Sequence, residues 1–353
     1  MRTVIRWVEI NLDAIAHNVK VVRREIGPAA WFTAVVKADG YGHGAVPVAR
    51  VALSSGANAL AVADIDEAMA LRSSGVRAPI LITGPVDPSQ AKQVATHALS
   101  VMVDTPRLLH AFSSVAGRRS VGVQIEVDLG LGRWGIKLKD LPDFFCMVKK
   151  TRGVRLDGMY AHPGYVVGKN ERLVRKRLAE FIALTDPLLV ESPSVRRHVA
   201  DSTILVDMPE YRLEAVRVGN LLYGIFPTQS ILQLKNPWRP LSKIIRISRV
   251  RAGARLGYGS EYVSPRSATV GTVPVGYGHG LTVEPASILK RRNPSFLYWG
   301  TVRGVRCDFL GKPGMNHVLV DLSGVTNPRE GEEIQLPLRR TVASSWPKVY
   351  TKH

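Results

Sequence analysis

The sequence predicts an α/β fold in which an N-terminal (β/α)8 barrel is followed by a mostly-β C-terminal domain. From residue 30 to about 230, short apolar runs alternate with stretches of helical periodicity, at intervals of roughly 20–30 residues. After residue 240 the pattern changes to short alternating segments separated by Gly and Pro. No GxGxxG turn follows the first apolar run, so a closed TIM-type barrel is favoured over a doubly wound open sheet.

Apolar runs rich in Val, Ile and Ala predict the barrel strands, because strands of a parallel sheet are buried on both faces. These runs span 31–38, 59–64, 79–84, 99–104, 121–128, 156–162 and a segment before Asp201. Several helical stretches between them begin near a residue that can cap a helix, such as Asp64, Thr105 or Asp140. Seven or eight such strand–helix units in about 220 residues predict a closed barrel.

The same patterns divide the chain into three regions. Residues 1–12 include a strand-like segment, VEINL, which we expect to pack with the C-terminal domain because the helix after it leads into the barrel. Residues 13–238 are expected to form the barrel, and residues 239–353 the β-rich domain.

Composition narrows the class of protein. Hydrophobic residues make up 45% of the 353-residue chain and charged residues 22%, which is typical of a globular protein. The formal net charge of +19 comes from basic residues scattered along the chain, some of them in pairs, and it predicts a solvated basic surface. Nucleic-acid binding is the alternative, which no recognised motif supports. Two cysteines, no zinc-ligand spacing, no signal-peptide start and no long apolar stretch predict a cytoplasmic protein without a metal or a membrane partner.

Lys37 is the first candidate for chemistry. It ends the first predicted barrel strand, and active sites of such barrels lie at the C-terminal ends of the strands. Burial there would lower the pKa of the lysine and leave an amine able to condense with a carbonyl group. A lysine that only pairs with Asp39 is the structural alternative.

Several separated segments share one resemblance. They read KADGYGHG at 37–44, GLGRWG at 130–135, VRVGNLLYG at 216–224, LGYGSEY at 256–262 and VPVGYGHG at 273–280. In this order the segments resemble motifs of the alanine racemase family, fold-type III pyridoxal-phosphate-dependent amino-acid racemases, and the resemblance runs the whole length of the chain. It implies a racemase that interconverts L- and D-alanine or a related small amino acid.

The resemblance implies two acid–base groups. Lys37 would hold pyridoxal 5'-phosphate and act on one face of the substrate, and Tyr258 of a partner subunit would act on the other. Racemisation needs this arrangement, because one group removes the α-proton and another returns a proton from the opposite face. Tyrosine has an ordinary pKa of about 10, so it needs cationic surroundings to act as a base near neutrality. A homodimer that shares its active sites is therefore implied.

Other residues carry cofactor or substrate roles by the same resemblance. Arg217 would donate to the pyridine nitrogen, which would then stay unprotonated and disfavour transamination and decarboxylation. Arg133 would contact the cofactor's phenolic oxygen and the substrate carboxylate, and His162 would pack against the ring. The backbone of Met315 would help to bind the carboxylate. Groups for the phosphate would be Tyr41, Ser202 and the backbone of Gly219 and Asn220.

Departures from the family pattern leave alternatives open. Glu126 stands where many members carry a carbamate-modified lysine, and it would supply the negative charge beside Arg133 directly. Asp201, His279 and Asn316 replace an Asn, an Asp and an Asp, and no residue clearly matches the family's tyrosine near the C-terminus. A wider entrance would suit a racemase of a larger amino acid, such as serine, lysine or ornithine. A catalytically divergent pyridoxal-phosphate-binding homologue is the other alternative.

Overall fold

A computed structural model describes residues 4–117, 120–226, 232–282, 298–340 and 342–352. The chain divides into two compact units. One, called here the β unit, combines Met1–Asn11 with Pro237–His353, and the other, the barrel unit, comprises Leu12–Asn236.

The strands and helices of the described residues are given in chain order. The strands are β1 (Arg6–Asn11), β2 (Trp31–Val35), β3 (Ala59–Val62), β4 (Ile80–Ile82), β5 (Ser100–Val103), β6 (Val121–Asp128), β7 (Ile136–Lys137), β8 (Val154–Ala161), β9 (Arg196–His198), β10 (Ala215–Val218), β11 (Trp238–Lys243), β12 (Arg246–Val250), β13 (Arg255–Leu256), β14 (Tyr262–Val263), β15 (Ala268–Val273), β16 (Trp299–Val302), β17 (Val305–Leu310), β18 (Val318–Asp321), β19 (Glu333–Gln335) and β20 (Lys348–Thr351). The helices are α1 (Leu12–Ile26), α2 (Ala45–Ser54), α3 (Ile65–Ser73), α4 (Ala91–Thr96), α5 (Pro106–Val115), α6 (Leu141–Lys150), α7 (Glu171–Val190) and α8 (Ser202–Asp207).

The barrel unit confirms the predicted fold class. Eight parallel strands follow one another in the order β10-β2-β3-β4-β5-β6-β8-β9, and β7 pairs with β6. A parallel bridge between Ala200 and Val216 joins the two ends of this sheet, so the ring is nearly closed. Helices follow most strands, as the alternation of apolar runs and helical stretches predicts.

Two of the three predicted helix caps are present in the structure. Asp64 and Thr105 do cap helices: their side chains accept the backbone N–H groups of Glu67 and Leu108. Asp140 does not, because a short 3-10 turn precedes α6 and the Asp140 backbone is helical rather than extended. The Asp140 side chain therefore has no free helix N–H directly above it.

The β unit contains a nine-stranded sheet in the order β12-β15-β18-β17-β16-β19-β11-β1-β20, and β13 and β14 form a separate ladder. Strand β1 lies between two strands from the other end of the chain. It pairs antiparallel with β11 and parallel with β20, where Val8 lies opposite Lys348. Across the residues that the structure describes, no helix is both long and apolar enough to cross a membrane.

Candidate active site

A cavity of about 590 Å³ lies at the C-terminal ends of the barrel strands. This is the end of a (β/α)8 barrel at which substrates bind. The residues that line the cavity are Val35, Lys37, Tyr41, Ala63, Asp64, Thr83, Gly84, Pro85, Arg133, Trp134, Tyr160, His162, Asp201, Ser202, Thr203, Arg217, Gly219 and Asn220. They include eight of the residues that the sequence predicts for the site: Lys37, Tyr41, Arg133, His162, Ser202, Arg217, Gly219 and Asn220.

Lys37 enters the cavity from an unusual turn after β2. The backbone of Ala38, Asp39 and Gly40 is left-handed, with φ of 52°, 51° and 62°, and Tyr41 follows with φ of 54°. Each L-residue other than glycine loses about 1–2 kcal/mol in this conformation. Such strain persists only where the surroundings hold it, and it is common at functional sites.

The charge state of Lys37 is set by its neighbours. Burial lowers the pKa of the amine, and the positive charges of Arg133 and Arg217 lower it further. The negative charge of Glu67 opposes these effects. A lowered pKa increases the unprotonated fraction at neutral pH, and only the unprotonated amine can attack a carbonyl carbon.

Arg217 is buried under the cavity and is held by neutral partners. Its guanidinium donates to the Nδ1 atom of His198 and, at 2.9 Å, to the carbonyl oxygen of Ala161. Because a guanidinium only donates, Nδ1 of His198 must accept, and its proton therefore sits on Nε2, which faces Oε1 of Gln124. Burial and the charges of Arg217 and Arg196 lower the pKa of His198, which agrees with a neutral imidazole.

Glu126 connects several side chains beside the cavity. The carboxylate is 3% exposed. Its Oε2 atom accepts from Trp134 Nε1 at 2.6 Å and from the Tyr160 hydroxyl at 2.7 Å, and its Oε1 atom lies 3.4 Å from an Arg133 nitrogen. The Arg133 guanidinium also stacks on the Trp134 ring at 3.8 Å. Glu126 and Trp134 together fix the orientation of the arginine.

Asp201 has two contacts. One carboxylate oxygen accepts the backbone N–H groups of Thr203 and Ile204 at 2.9 and 3.0 Å and so caps α8, and an asparagine oxygen could do the same. The other oxygen lies 3.7 Å from Nδ1 of His162. Burial and the charge of Asp201 raise the pKa of Tyr41 to about 12, so the Tyr41 hydroxyl stays protonated and can donate a hydrogen bond.

Ser202, Gly219 and Tyr41 form a close-packed corner of the cavity. The Ser202 hydroxyl oxygen accepts the N–H of Gly219 at 3.2 Å. A Cβ atom at Gly219 would lie 2.5 Å from the Tyr41 hydroxyl oxygen, so only glycine fits there. Asn220 lines the cavity beside Gly219.

Tyr258 and Met315 belong to the β unit and are not among the residues that line the cavity. The Tyr258 side chain is 61% exposed, and its ring lies 6.3 Å from the ring of His317. Met315 is 55% exposed. His279 faces the backbone N–H of Gly276 through its Nδ1 atom.

Several residues of the site were not predicted from the sequence. Trp134 and Tyr160 line the cavity, and His198 and Glu67 support residues that do. Glu67 carries one signal that could have identified it, because it stands three residues after the helix cap Asp64 at the C-terminal end of a barrel strand. Within the described part of the chain, no cluster of His, Cys, Asp and Glu side chains could hold a metal ion.

Two protein-family models match this chain. The family model of the alanine racemase N-terminal domain matches residues 10–227, and that of the alanine racemase C-terminal domain matches residues 239–346. The chain belongs to the alanine racemase family. The resemblance inferred from the sequence motifs is thereby confirmed, and the protein is a racemase of this family.

Relatives of known sequence and structure agree. The chain is 31% identical to the alanine racemase of Desulforamulus reducens over 93% of its own length and 88% of that protein's. It is 32% identical to that of Desulfovibrio desulfuricans, over 94% and 88%. Among solved structures, the alanine racemase of E. faecalis superposes with a TM-score of 0.87 at 26% identity, covering 99% of each chain. The Bacillus anthracis enzyme, solved with bound L-Ala-P, has a TM-score of 0.85 at 25% identity, covering 100% of this chain and 96% of that one.

Proposed function

We propose that this protein interconverts L- and D-alanine with pyridoxal 5'-phosphate as its cofactor, acting as a cytoplasmic homodimer. The observation that carries the proposal is the single cavity in which Lys37, Arg133, His162 and Arg217 meet. Residues 13–238 are proposed to bind the cofactor, and residues 239–353 to supply Tyr258 and Met315.

The residues of the cavity fit this cofactor. Lys37 has the lowered pKa that covalent attachment to an aldehyde requires. The Tyr41 and Ser202 hydroxyls and the glycine-only position 219 form a small polar corner of the same cavity that suits a phosphate group. His162 and the buried cation Arg217 line the cavity as well.

When bound, the cofactor supplies an electron sink that weakens the bond to the substrate's α-hydrogen. Lys37 then holds or releases a proton at Nζ on one face of the substrate, and Tyr258 of the partner subunit does so at its hydroxyl oxygen on the other. Arg217 can only donate hydrogen bonds, so it keeps a ring nitrogen unprotonated. Arg133 and the backbone of Met315 orient the substrate carboxylate, and Glu126 keeps Arg133 in place.

Exchange of the α-hydrogen in D2O tests the proposal. The purified protein is loaded with pyridoxal 5'-phosphate and given single L-amino acids, and the α-proton signal and product chirality are followed; Tyr258→Phe is also given D-alanine. We expect exchange with inversion for alanine. We expect Tyr258→Phe to lose inversion but to retain exchange from one enantiomer, because only one of the two proton-transferring groups remains.

Three other outcomes would each contradict part of the proposal. Faster inversion of serine, lysine or ornithine than of alanine would overturn alanine as the substrate and would identify a racemase of a larger amino acid. No exchange with any amino acid, in protein that carries the cofactor on Lys37, would overturn the catalytic proposal and leave a cofactor-binding homologue. Sedimentation of the holoenzyme as a monomer would contradict the proposed dimer.

A further inference from the structure

We infer that Glu67 is a positioning residue that holds Lys37 in the orientation needed to bind the cofactor. This inference rests on the proposed function of Lys37. Glu67 lies in the first turn of α3, and its carboxylate reaches the turn that carries the lysine. Glu67 is not among the residues that line the cavity, so it acts on the site through Lys37.

The contacts of the Glu67 carboxylate join two neighbouring barrel strands at their C-terminal ends. Its Oε1 atom accepts the backbone N–H of Ala38, the residue after Lys37. Its Oε2 atom accepts the N–H of Ala63, directly after β3, at 2.8 Å. Both oxygens are thus used by main-chain donors, and both contacts require an acceptor.

The position of Glu67 is itself fixed. Asp64 caps α3 and accepts the N–H of Glu67 at 2.9 Å, which holds the main chain of the glutamate. The side chain therefore starts from a restrained backbone and spans back to Ala63 and Ala38. A bridge anchored at both ends can resist relaxation of the turn that follows Lys37.

The turn needs such an anchor. Ala38, Asp39 and Tyr41 are L-residues with a side chain in the left-handed region, which an unrestrained chain would leave. A second contact supports the far side of the turn, where Oδ1 of Asp39 accepts the N–H of Ala45 at 2.9 Å. Glu67 holds the side next to Lys37. If this hydrogen bond is lost, we expect the amine to sample several positions instead of one.

Glu67 also acts through its charge. The charged and titratable groups that share the cavity with Lys37 are Tyr41, Asp64, Arg133, Tyr160, His162, Asp201 and Arg217, and Glu67 contacts the turn beside it. The charges of Arg133 and Arg217 lower the pKa of Lys37, and the charge of Glu67 raises it. Its removal should therefore shift the protonation of Lys37 to lower pH, because the two arginines would act unopposed.

Covalent attachment of pyridoxal 5'-phosphate provides the test. In this step the unprotonated Nζ atom bonds to the aldehyde carbon, and the aldehyde oxygen leaves as water with two amine protons. The cofactor is stripped from the purified full-length protein, the rate of re-attachment is followed by absorbance between pH 6 and 10, and the product is reduced with borohydride and mapped by mass spectrometry. Glu67→Gln replaces one acceptor by a donor and removes the charge.

We expect attachment to Glu67→Gln to be slowed roughly tenfold, as for the loss of a hydrogen bond to a half-buried, charged acceptor. We also expect a fall in the pH at which this variant reaches half of its maximal attachment rate. A structural role alone would lower the melting temperature but would not move this pH. Asp66→Asn is the matched control, because it removes a carboxylate from the same helical turn at an exposed position and should behave like the wild type.

Glu67→Asp separates the effect of positioning from the effect of charge. It also provides the test if Glu67→Gln does not fold. It keeps the charge but is one methylene too short to reach both N–H groups, so attachment should slow while the half-maximal pH stays near the wild-type value. Variants that match the wild type in both rate and pH profile would overturn the inference. If the label in the wild type is not on Lys37, the proposed function itself fails, and the two failures are therefore distinguishable.

Discussion

Replacement of Glu126 by glutamine should separate activity from stability. The carboxylate accepts hydrogen bonds from Trp134 and Tyr160 through one oxygen and faces Arg133 through the other. A glutamine can place its carbonyl oxygen towards the first two donors, which forces its NH2 group towards the arginine. The variant thus keeps two hydrogen bonds and loses the ion pair that orients Arg133.

The size of the loss follows from burial. Breaking a fully buried ion pair costs about 3–5 kcal/mol, and an exposed pair is worth about 0.2–1 kcal/mol. Here the Glu126 side chain is 4% exposed and that of Arg133 is 36% exposed, so the pair lies between these limits. A loss of about 1–2 kcal/mol corresponds to a decrease of roughly 5–30-fold in kcat/KM.

Stability should behave differently. Burial raises the pKa of Glu126, so the ionised side chain is less favourable in the folded than in the unfolded protein. A raised carboxyl pKa makes stability fall as the pH rises through it, and glutamine avoids this cost at neutral pH. This gain offsets the free energy lost with the Arg133 ion pair, so the melting temperature of Glu126→Gln should stay close to that of the wild type.

The assay measures initial rates of alanine racemisation in both directions, with melting temperatures on the same samples. Glu210→Gln is the control, because it removes a carboxylate that pairs with Arg175 on the surface of the barrel unit, away from the cavity. Wild-type kcat/KM in Glu126→Gln would refute the reasoning. So would a loss of activity that only follows a loss of folded protein.

Three further substitutions test other contacts. Asp201→Asn keeps the cap of α8 but removes a negative charge beside the proposed phosphate corner, so affinity for pyridoxal 5'-phosphate relative to pyridoxal should rise roughly fivefold in a fluorescence titration; an unchanged ratio would contradict this. Gly314→Ala places a Cβ atom 2.6 Å from the His317 ring and 3.0 Å from the Tyr258 ring. Displacement of these rings should lower kcat about tenfold while cofactor affinity stays the same; a parallel loss of affinity would argue against it. Arg197→Ala leaves Glu214, which is 38% exposed, without its 2.8 Å ion pair and should destabilise the protein by about 1–2 kcal/mol in urea at pH 7. Burial raises the pKa of Glu214, but hydrogen bonds and the charge of Arg197 lower it overall. The stabilisation from the pair is therefore lost as the pH falls, and the difference in stability between the variant and the wild type should narrow at acidic pH. An equal difference at pH 3 would contradict this.

The barrel could be predicted because most of its strands are apolar runs. Strand β9 is an exception, since Arg196–His198 contains three basic residues. Arg197 is buried by its contacts with Asp186 and Glu214, and His198 by Gln124 and Arg217. A strand stabilised by distant polar partners shows no hydrophobic pattern, and the sequence therefore indicated only a segment before Asp201.

The candidate site could likewise be predicted only where its residues lie within local sequence motifs. Residues within a local motif, such as Lys37 and Arg217, could be located from the sequence, and the cavity brings them together. Glu67 acts on Lys37 from 30 residues away, and its role depends on a left-handed turn that contains a single glycine. Contacts between the ends of neighbouring strands form only when the barrel closes. The pattern of apolar residues along the sequence does not specify which strand ends then meet.

The place of β1 has a consequence for biosynthesis. This strand is translated before every other described element, yet both of its hydrogen-bonding neighbours lie after residue 237, and β20 ends at Thr351. At about 5–20 residues per second, translation leaves Arg6–Asn11 without its ladder for tens of seconds while the barrel segments can already collapse. A nascent chain stalled before β20 would expose one edge of β1. Truncation before Lys348 removes β20 and should therefore impair folding of the β unit far more than the loss of a few surface residues would suggest.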